Sequence, residues 1–499
     1  MGKSTVLVKD PVSRAHKRRR DPKEKTSGAL LAVTRLTIPG YLRARLHFRR
    51  IELRTPEAVV DAYRDFRHGH TRLIVAFRHP YGDEAQLLLH VFNNLLPRAA
   101  RGLHRRLRHG THIRIMHDYA RPLWGDLFLR QVLPRIGAVP VYRVKFDAVR
   151  LKVIRSILLD DRYPLALAPE GQVSYRSETL PRIEQGTVRM GFWCVKDLEK
   201  AERTEHVKIL PLSVHYRFDP RDQKKLWQIL DQLDATCGFA GSPVLARFRT
   251  EPSTLAGLQR RIDNLENRVL EVAEAFYAGS FGYAPAPAPA AGSPDAPATV
   301  STVEAAAARR RRWDVLQEVA LLTAENALGL TPFDVPDSLD RNGTDPNDPI
   351  ERVYRIRQEC WDRIYPADAT EGHSRLETAL LGRRTGEAWY AMRHIEFVDL
   401  VYYLDPDYQR GPNGEGPVFD RQVEAVISLA DLISRLMGGD FTNRLNVIRK
   451  NAVIIPAPLI DLNDYNVPGA KVSAAACQAA TEALRQRFDA ALRAAGEDR

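Results

Sequence analysis

From residue 56 the hydrophobic positions alternate between two periods. Apolar runs of strand length, Leu73–Phe77, His112–His117, Ala138–Tyr142, Pro164–Ala168 and Val207–His215, are separated by stretches with apolar residues every three or four positions. Those stretches are Glu57–Arg67, Glu84–Leu96, Leu123–Leu133, Phe146–Leu159 and Gly186–Leu198. Thr55-Pro56-Glu57 carries a helix-start signal, with proline at the first helical position. The alternation predicts an α/β fold, a mainly parallel sheet flanked by helices. Such sheets carry their chemistry beyond the strand C-termini. His79, Arg143 and Glu170 each follow the end of a predicted strand.

Beyond the strand region the pattern becomes helical. Residues 254–278 read as a charged helix, and then composition changes abruptly at Ala284–Thr299, a proline-alanine tract that reads as a semi-rigid linker. After it come Ala305–Leu328, Ile350–Ile364, Gly386–Leu404, Phe419–Met437 and Ala474–Ala495, all with helical periodicity. The expected division is a basic disordered tail at 1–27, an α/β domain at 28–278, a linker at 279–303 and a separate all-α C-terminal domain at 304–499. The helical domain has no readable role. Its Trp313, Trp361 and Trp389 are expected in the core.

Charge sharpens this picture. The chain has 499 residues and a formal net charge of +12, but residues 1–150 alone hold 31 Lys and Arg against 12 Asp and Glu. The remainder is therefore net −7. A basic N-terminal part suits an anionic membrane surface or nucleic acid. Residues 28–50 mix Leu, Ile, Tyr and Phe with arginine, as either an interfacial amphipathic segment or a helix packed on its own domain. No apolar run approaches the roughly 18–20 residues of a spanning helix, and no signal peptide is visible. Four widely spaced cysteines, without metal spacing, read as reduced thiols of a cytoplasmic protein.

The chemistry is expected in residues 72–84, RLIVAFRHPYGDE. A buried strand ends at Arg78-His79, a Pro-Tyr-Gly turn follows, and two carboxylates, Asp83 and Glu84, open a leucine-rich helix. A carboxylate returned to the imidazole would accept the Nδ1 proton and leave Nε2 as a base. Two further segments sit at strand ends, Gly137 to Arg143 and Ala168-Pro169-Glu170-Gly171. There is no GxSxG elbow, phosphate-cradling Gly-rich loop or HExxH. His68, His70, His109, His112 and His117 lack acids in register for a metal site.

Together these segments resemble the glycerolipid acyltransferase superfamily, over roughly residues 56–250. The family's first block is a histidine and an acid with four residues between. Here strict spacing selects Glu84, with Asp83 one residue early. Gly137 to Arg143 is similar to the second block, with Pro140 in an aromatic's place. Ala168-Pro169-Glu170-Gly171-Gln172-Val173 is similar to the third but lacks its Thr and Arg, and Ile209-Leu210-Pro211-Leu212 matches the fourth.

The resemblance implies acyl transfer from acyl-CoA or acyl-carrier protein to a hydroxyl of a glycerol phosphate or lysophospholipid, in phospholipid biosynthesis. It implies no cofactor beyond that cosubstrate. His79 would be the base, with Glu84 or Asp83 orienting it. Arg143 would hold the acceptor phosphate, and Glu170 beside Gly171 would bind acceptor hydroxyls. Arg176 or Arg182 would replace the missing third-block arginine. Arg78, where the family has Asn, would reduce the basicity of His79 by like charge. The expected location is cytoplasmic and peripheral on the inner face of the membrane. A degenerate, purely lipid- or partner-binding version of the fold is the alternative. Nucleic acid is not expected as a partner, because the chain lacks a recognisable aromatic sheet motif, helix-turn-helix pattern or zinc spacing.

Overall fold

The computed structural model describes residues 26–107, 110–118, 132–141, 148–238, 254–283, 302–330, 347–364, 374–402, 404–405, 408–410, 416–439 and 444–497. The basic tail around Lys17–Arg20, the proline-alanine tract, most of the helix expected at Leu123–Leu133, and Arg143 lie outside these residues.

In chain order the elements begin with α1 (Gly28–Ala44), β1 (Phe48–Leu53), α2 (Pro56–Arg67), β2 (Thr71–Phe77), α3 (Glu84–His90), a π turn at Val91–Leu95 and α4 (Leu96–Gly102). β3 (Arg114–Asp118), β4 (Val139–Val141), α5 (Ala148–Asp160), β5 (Leu165–Leu167), α6 (Gly186–Lys200) and β6 (His206–Phe218) follow. Then come α7 (Gln223–Thr236), α8 (Leu255–Phe281), α9 (Thr302–Leu328), α10 (Pro349–Ile364), α11 (Arg375–Val401) and α12 (Phe419–Leu436). The chain closes with β7 (Lys450–Pro456), β8 (Ile460–Asp461) and α13 (Ala474–Glu497).

The chain forms two compact units. One includes Pro22–Tyr142, Asp147–Asp222 and Asn446–Arg499, and the other includes Gln223–Leu445. This corrects the expected division at two places. The helices at residues 223–236 and 255–281 belong to the helical unit, not to the α/β domain. Residues 446–499 return to the sheet instead of completing an all-α domain. The helical unit is thus an insertion between β6 and β7 in the sequence of one α/β unit.

The sheet has eight strands in the order β1-β7-β6-β2-β5-β3-β4, with β8 also on β6. β6, β2, β5, β3 and β4 run parallel; β7 is antiparallel to β6 and parallel to β1. Every residue of β2 is buried, as a central strand covered on both faces requires. The helix α2 is amphipathic: it buries Val59, Val60, Ala62, Tyr63 and Phe66, leaves Glu57 exposed and keeps Asp61, Arg64, Asp65 and Arg67 half-buried. On one side of the sheet, Ile74, Ala76, Leu165 and Leu167 pack with Val188, Phe192 and Val195 of α6 and with Leu484 and Phe488 of α13. The C-terminal helix therefore contributes to the same core as the central strands.

Register places the site. Thr71 to Phe77 pair with His206 to Leu212, so residues 213–218 of β6 run on past the end of β2. That overhang is covered by β7, with Leu212 opposite Pro456, Tyr216 opposite Ala452 and Phe218 opposite Lys450.

The helical unit buries Trp313 and Cys360 completely, together with Val398 and Val426. Trp361 and Trp389 are half-buried. No described helix is long and apolar enough to cross a membrane.

Candidate active site at the end of the central strand

The backbone leaves β2 at Arg78 and makes a tight turn through Pro80, Tyr81 and Gly82 before α3 begins at Glu84. Gly82 takes φ +89°, a conformation that costs a residue with a side chain and lets the acid double back. The His79 ring presents Nδ1 to Glu84 Oε2 at 2.6 Å. The Glu84 side chain is fully buried, and the His79 side chain keeps 15% of its surface open. Of the two carboxylates left open by the sequence, Glu84 is the partner of His79.

Both Glu84 oxygens are fully engaged. Oε2 also accepts from the Gly82 N–H at 2.7 Å, and Oε1 accepts from the Tyr81 N–H at 3.0 Å and the Tyr216 hydroxyl at 2.5 Å. Burial acting alone would raise this carboxyl. The hydrogen bond and charge of His79, then the Tyr216 and Tyr81 donors, overcome burial and hold it at about 2. Glu84 is therefore a fixed anion facing the imidazole. It sets the tautomer that carries the proton on Nδ1 and leaves Nε2 unprotonated in the neutral ring.

Glu170 lies beneath the histidine. Its Oε1 accepts from Arg78 Nε at 2.9 Å and its Oε2 from the His79 backbone N–H at 3.2 Å. Neither side chain of the Arg78–Glu170 pair has exposed surface. Burial pushes the Glu170 carboxyl up from its ordinary value, against the Arg78 charge and hydrogen bond. The geometry thus corrects the role that the resemblance implies for Glu170: no face of this carboxylate is open to an acceptor hydroxyl. It fixes the backbone of His79 instead.

Arg78 is equally committed. Besides Glu170, its guanidinium donates to the carbonyls of Ser177 at 2.8 Å, Arg176 at 3.1 Å and Thr179 at 2.6 Å. It pins the loop after β5 under the turn after β2. The same loop is tied by the Tyr175 N–H to the Pro80 carbonyl at 2.8 Å and the Ser174 N–H to the His79 carbonyl at 3.4 Å. Gly171, at φ +74°, starts this loop. Arg78 was expected to act on His79 as a like charge; the structure directs its guanidinium to Glu170.

The structure brings His79, Glu84, Glu170 and Gly171 into one site, with Arg176 in the pinned loop and Asp83 at the edge, bound to Lys450. Arg143 lies outside the described residues, just beyond β4. Arg182 is exposed on the same connection. His112, left without an acid by the sequence, is a core histidine: Nε2 meets the Ile136 carbonyl at 2.8 Å, and burial lowers it to about 4. No group of three or more potential metal ligands occurs among the described residues.

Two residues of the site were not anticipated, Tyr216 and Lys450. Both lie where β6 overruns β2 and β7 covers it. The run Ala452-Val453-Ile454-Ile455, flanked by Asn451 and Pro456, is the signal that would have disclosed β7. No protein-family model, curated protein or solved structure matches this chain.

Proposed function

We propose that the α/β unit is an acyltransferase, moving an acyl group from a thioester to the hydroxyl of a glycerol phosphate or lysophospholipid. The observation that carries this reading is the 2.6 Å contact between a partly open His79 ring and a sealed, anionic Glu84. Such a pair is suited to taking a proton from an alcohol. His79 Nε2 accepts the hydroxyl proton as the oxygen attacks the thioester carbonyl. Collapse of the tetrahedral adduct breaks the C–S bond, and the imidazolium returns the proton to the departing thiolate. Glu84 stabilises the transient imidazolium, and no acyl group becomes attached to the protein. Glu170 and Arg78 hold the base from below. Arg143 remains the proposed phosphate ligand, by the resemblance of its segment and the fit of a guanidinium to phosphate.

The proposed setting is the surface of an anionic membrane. The unmatched positive charge of residues 1–150 supports it, as does α1, which exposes Val33, Leu36 and Tyr41 beside Arg35, Arg43 and Arg45. An acyl-carrier protein, being acidic, would suit the same basic surface. A second reading, a lipid- or partner-binding fold without catalysis, is favoured by the sealed state of Glu170.

The deciding experiment exposes the purified chain to mixed acceptors and acyl thioesters and identifies products by mass spectrometry. Acylated product from the native chain, lost in His79→Ala, supports transfer. Retained product in His79→Ala rejects the site. Lipid binding without any product selects the second reading.

A further inference from the structure

The turn after β2 carries two adjacent carboxylates, and the structure gives them different partners. Glu84 faces His79, whereas Asp83 Oδ2 accepts from Lys450 Nζ at 2.5 Å. Lys450 is the first residue of β7 and is only 5% exposed. Its ammonium lies 4.8 Å from the ring centroid of Phe48, 5.5 Å from that of Tyr216 and 5.7 Å from that of Tyr81. Register produces this cage. Lys450 is opposite Phe218 on β6 and Phe48 on β1, so these side chains share a face of the sheet. A buried ammonium is costly unless its charge is met. Here three ring faces and one carboxylate meet it, with Asn446 Oδ1 at 3.3 Å.

The cage touches the dyad through Tyr216, whose hydroxyl holds Glu84. An uncompensated Asp83 would add a second negative charge next to Glu84 in surroundings where charges are poorly screened. That charge would favour the imidazolium form of His79 and withdraw the neutral base. We propose that Lys450 is a positioning residue of the dyad: it cancels the charge of Asp83, so that Glu84 acts on His79 as the single uncompensated carboxylate. The inference rests on His79 being the base. Among the described residues, the charged and titratable groups around the dyad are Arg78 and Glu170 below it, Asp83, Glu84 and Tyr81 in the turn, Tyr216 on β6, Lys450 on β7 and Tyr41 on α1. Asp83 acts electrostatically on Tyr41.

The test is an NMR titration of the His79 ring in the full-length protein, its signal assigned by its loss in His79→Ala. Lys450→Met, which keeps an unbranched stem in the cage, should move the midpoint up by about half a unit to one unit. Asp83→Asn, leaving Lys450 uncompensated, should move it down. The double variant should return it to within about 0.2 unit of the native chain. The acid limb of kcat/KM for acyl transfer should shift in the same directions. Unchanged midpoints in folded variants, or a double variant that keeps the Lys450→Met shift, overturn the proposal. If Lys450→Met does not fold, Asp83→Asn decides alone: a downward shift supports the charge balance, and no shift or an upward one rejects it. The titration needs no turnover, so absence of acyl transfer would reject the function while leaving the charge balance measurable.

Discussion

The hydroxyl of Tyr216 donates to Oε1 of Glu84 at 2.5 Å from a strand 132 residues away in sequence. This contact exists because β6 continues past the end of β2, and it holds the carboxylate whose other oxygen faces His79. Tyr216→Phe keeps the ring that stacks edge-on against Tyr81 at 4.7 Å and removes only the donor. The Glu84 carboxyl should then rise from about 2. Stability in urea should fall by about 1.5–3 kcal/mol, a hydrogen bond to a buried charged group. In an acyl-transfer assay kcat should fall about tenfold with KM little changed, because the lost contact orients the base and does not touch substrate.

The two carboxylates of the turn should separate in the same assay. Glu84→Gln removes the anion that supports the imidazolium and should reduce kcat by about 100-fold or more. Asp83→Asn should cost less, because Asp83 faces Lys450. Equal losses, or a larger one in Asp83→Asn, would contradict the pairing of His79 with Glu84.

Acid should weaken the α/β unit in two windows. His112, buried and neutral, sits at about 4 against an ordinary 6.5. Its stabilisation is complete above pH 6.5 and is lost as pH falls toward 4, because the unfolded chain takes the proton first. Glu84 sits at about 2 against 4.5, so its contribution is complete above pH 4.5 and is lost as pH falls toward 2. Each shift corresponds to about 3 kcal/mol. Glu170 is raised and acts in the opposite sense, favouring the folded state on protonation. Urea unfolding at intervals from pH 7 to pH 3 should show a decline beginning below 6.5. His112→Gln should reduce the slope of its upper part, to which His215, also lowered by burial, contributes in the same sense, and Glu84→Gln should reduce the slope of its lower part.

Arg78 makes four hydrogen bonds without any side-chain surface exposed. Arg78→Met should therefore cost about 3–5 kcal/mol, chiefly by leaving Glu170 charged and unpaired. Arg78→Met combined with Glu170→Gln should recover part of that loss. Hydrogen exchange should report the consequence locally, with faster exchange at the amides of Ser174 and Tyr175, which hold the loop to the turn.

The parts of this site that were legible in the sequence are those encoded locally. The apolar run of β2, the turn at Gly82 and the helix start at Glu84 lie within a few residues of His79, and local pattern is enough to bring them together. Spacing favoured Glu84 over Asp83, but what holds the two carboxylates to different partners was not local. It depends on Lys450, which pairs with Asp83, and on Tyr216, which holds Glu84. Glu170 was located correctly at a strand end, but its task depends on Arg78 turning under the sheet, which spacing does not encode. The division of the chain failed for a related reason. Residues 303–499 are dominated by helical periodicity, and the seven residues of β7 are too short to alter that impression. Strand pairing between segments separated by a whole helical unit leaves little trace in either segment.

The face of α1 provides a test of the proposed membrane setting. Ile38 and Leu42 are buried, whereas Val33 is 52% and Leu36 81% exposed, with Arg35, Arg43 and Arg45 exposed on the same helix and its cap. Insertion of Leu36 into the headgroup boundary would bury most of that side chain, worth about 1.5–3 kcal/mol. Each arginine near anionic lipid adds about 1 kcal/mol and is screened by salt. Leu36→Asp should therefore weaken binding to phosphatidylglycerol-containing vesicles about tenfold or more, measured by flotation. Stability in urea should stay within about 0.5 kcal/mol, since the residue makes no core contact. Arg43→Gln with Arg45→Gln should weaken binding at low salt and make little difference at high salt. Binding that is insensitive to Leu36→Asp and to salt would show that α1 does not meet the bilayer through this face.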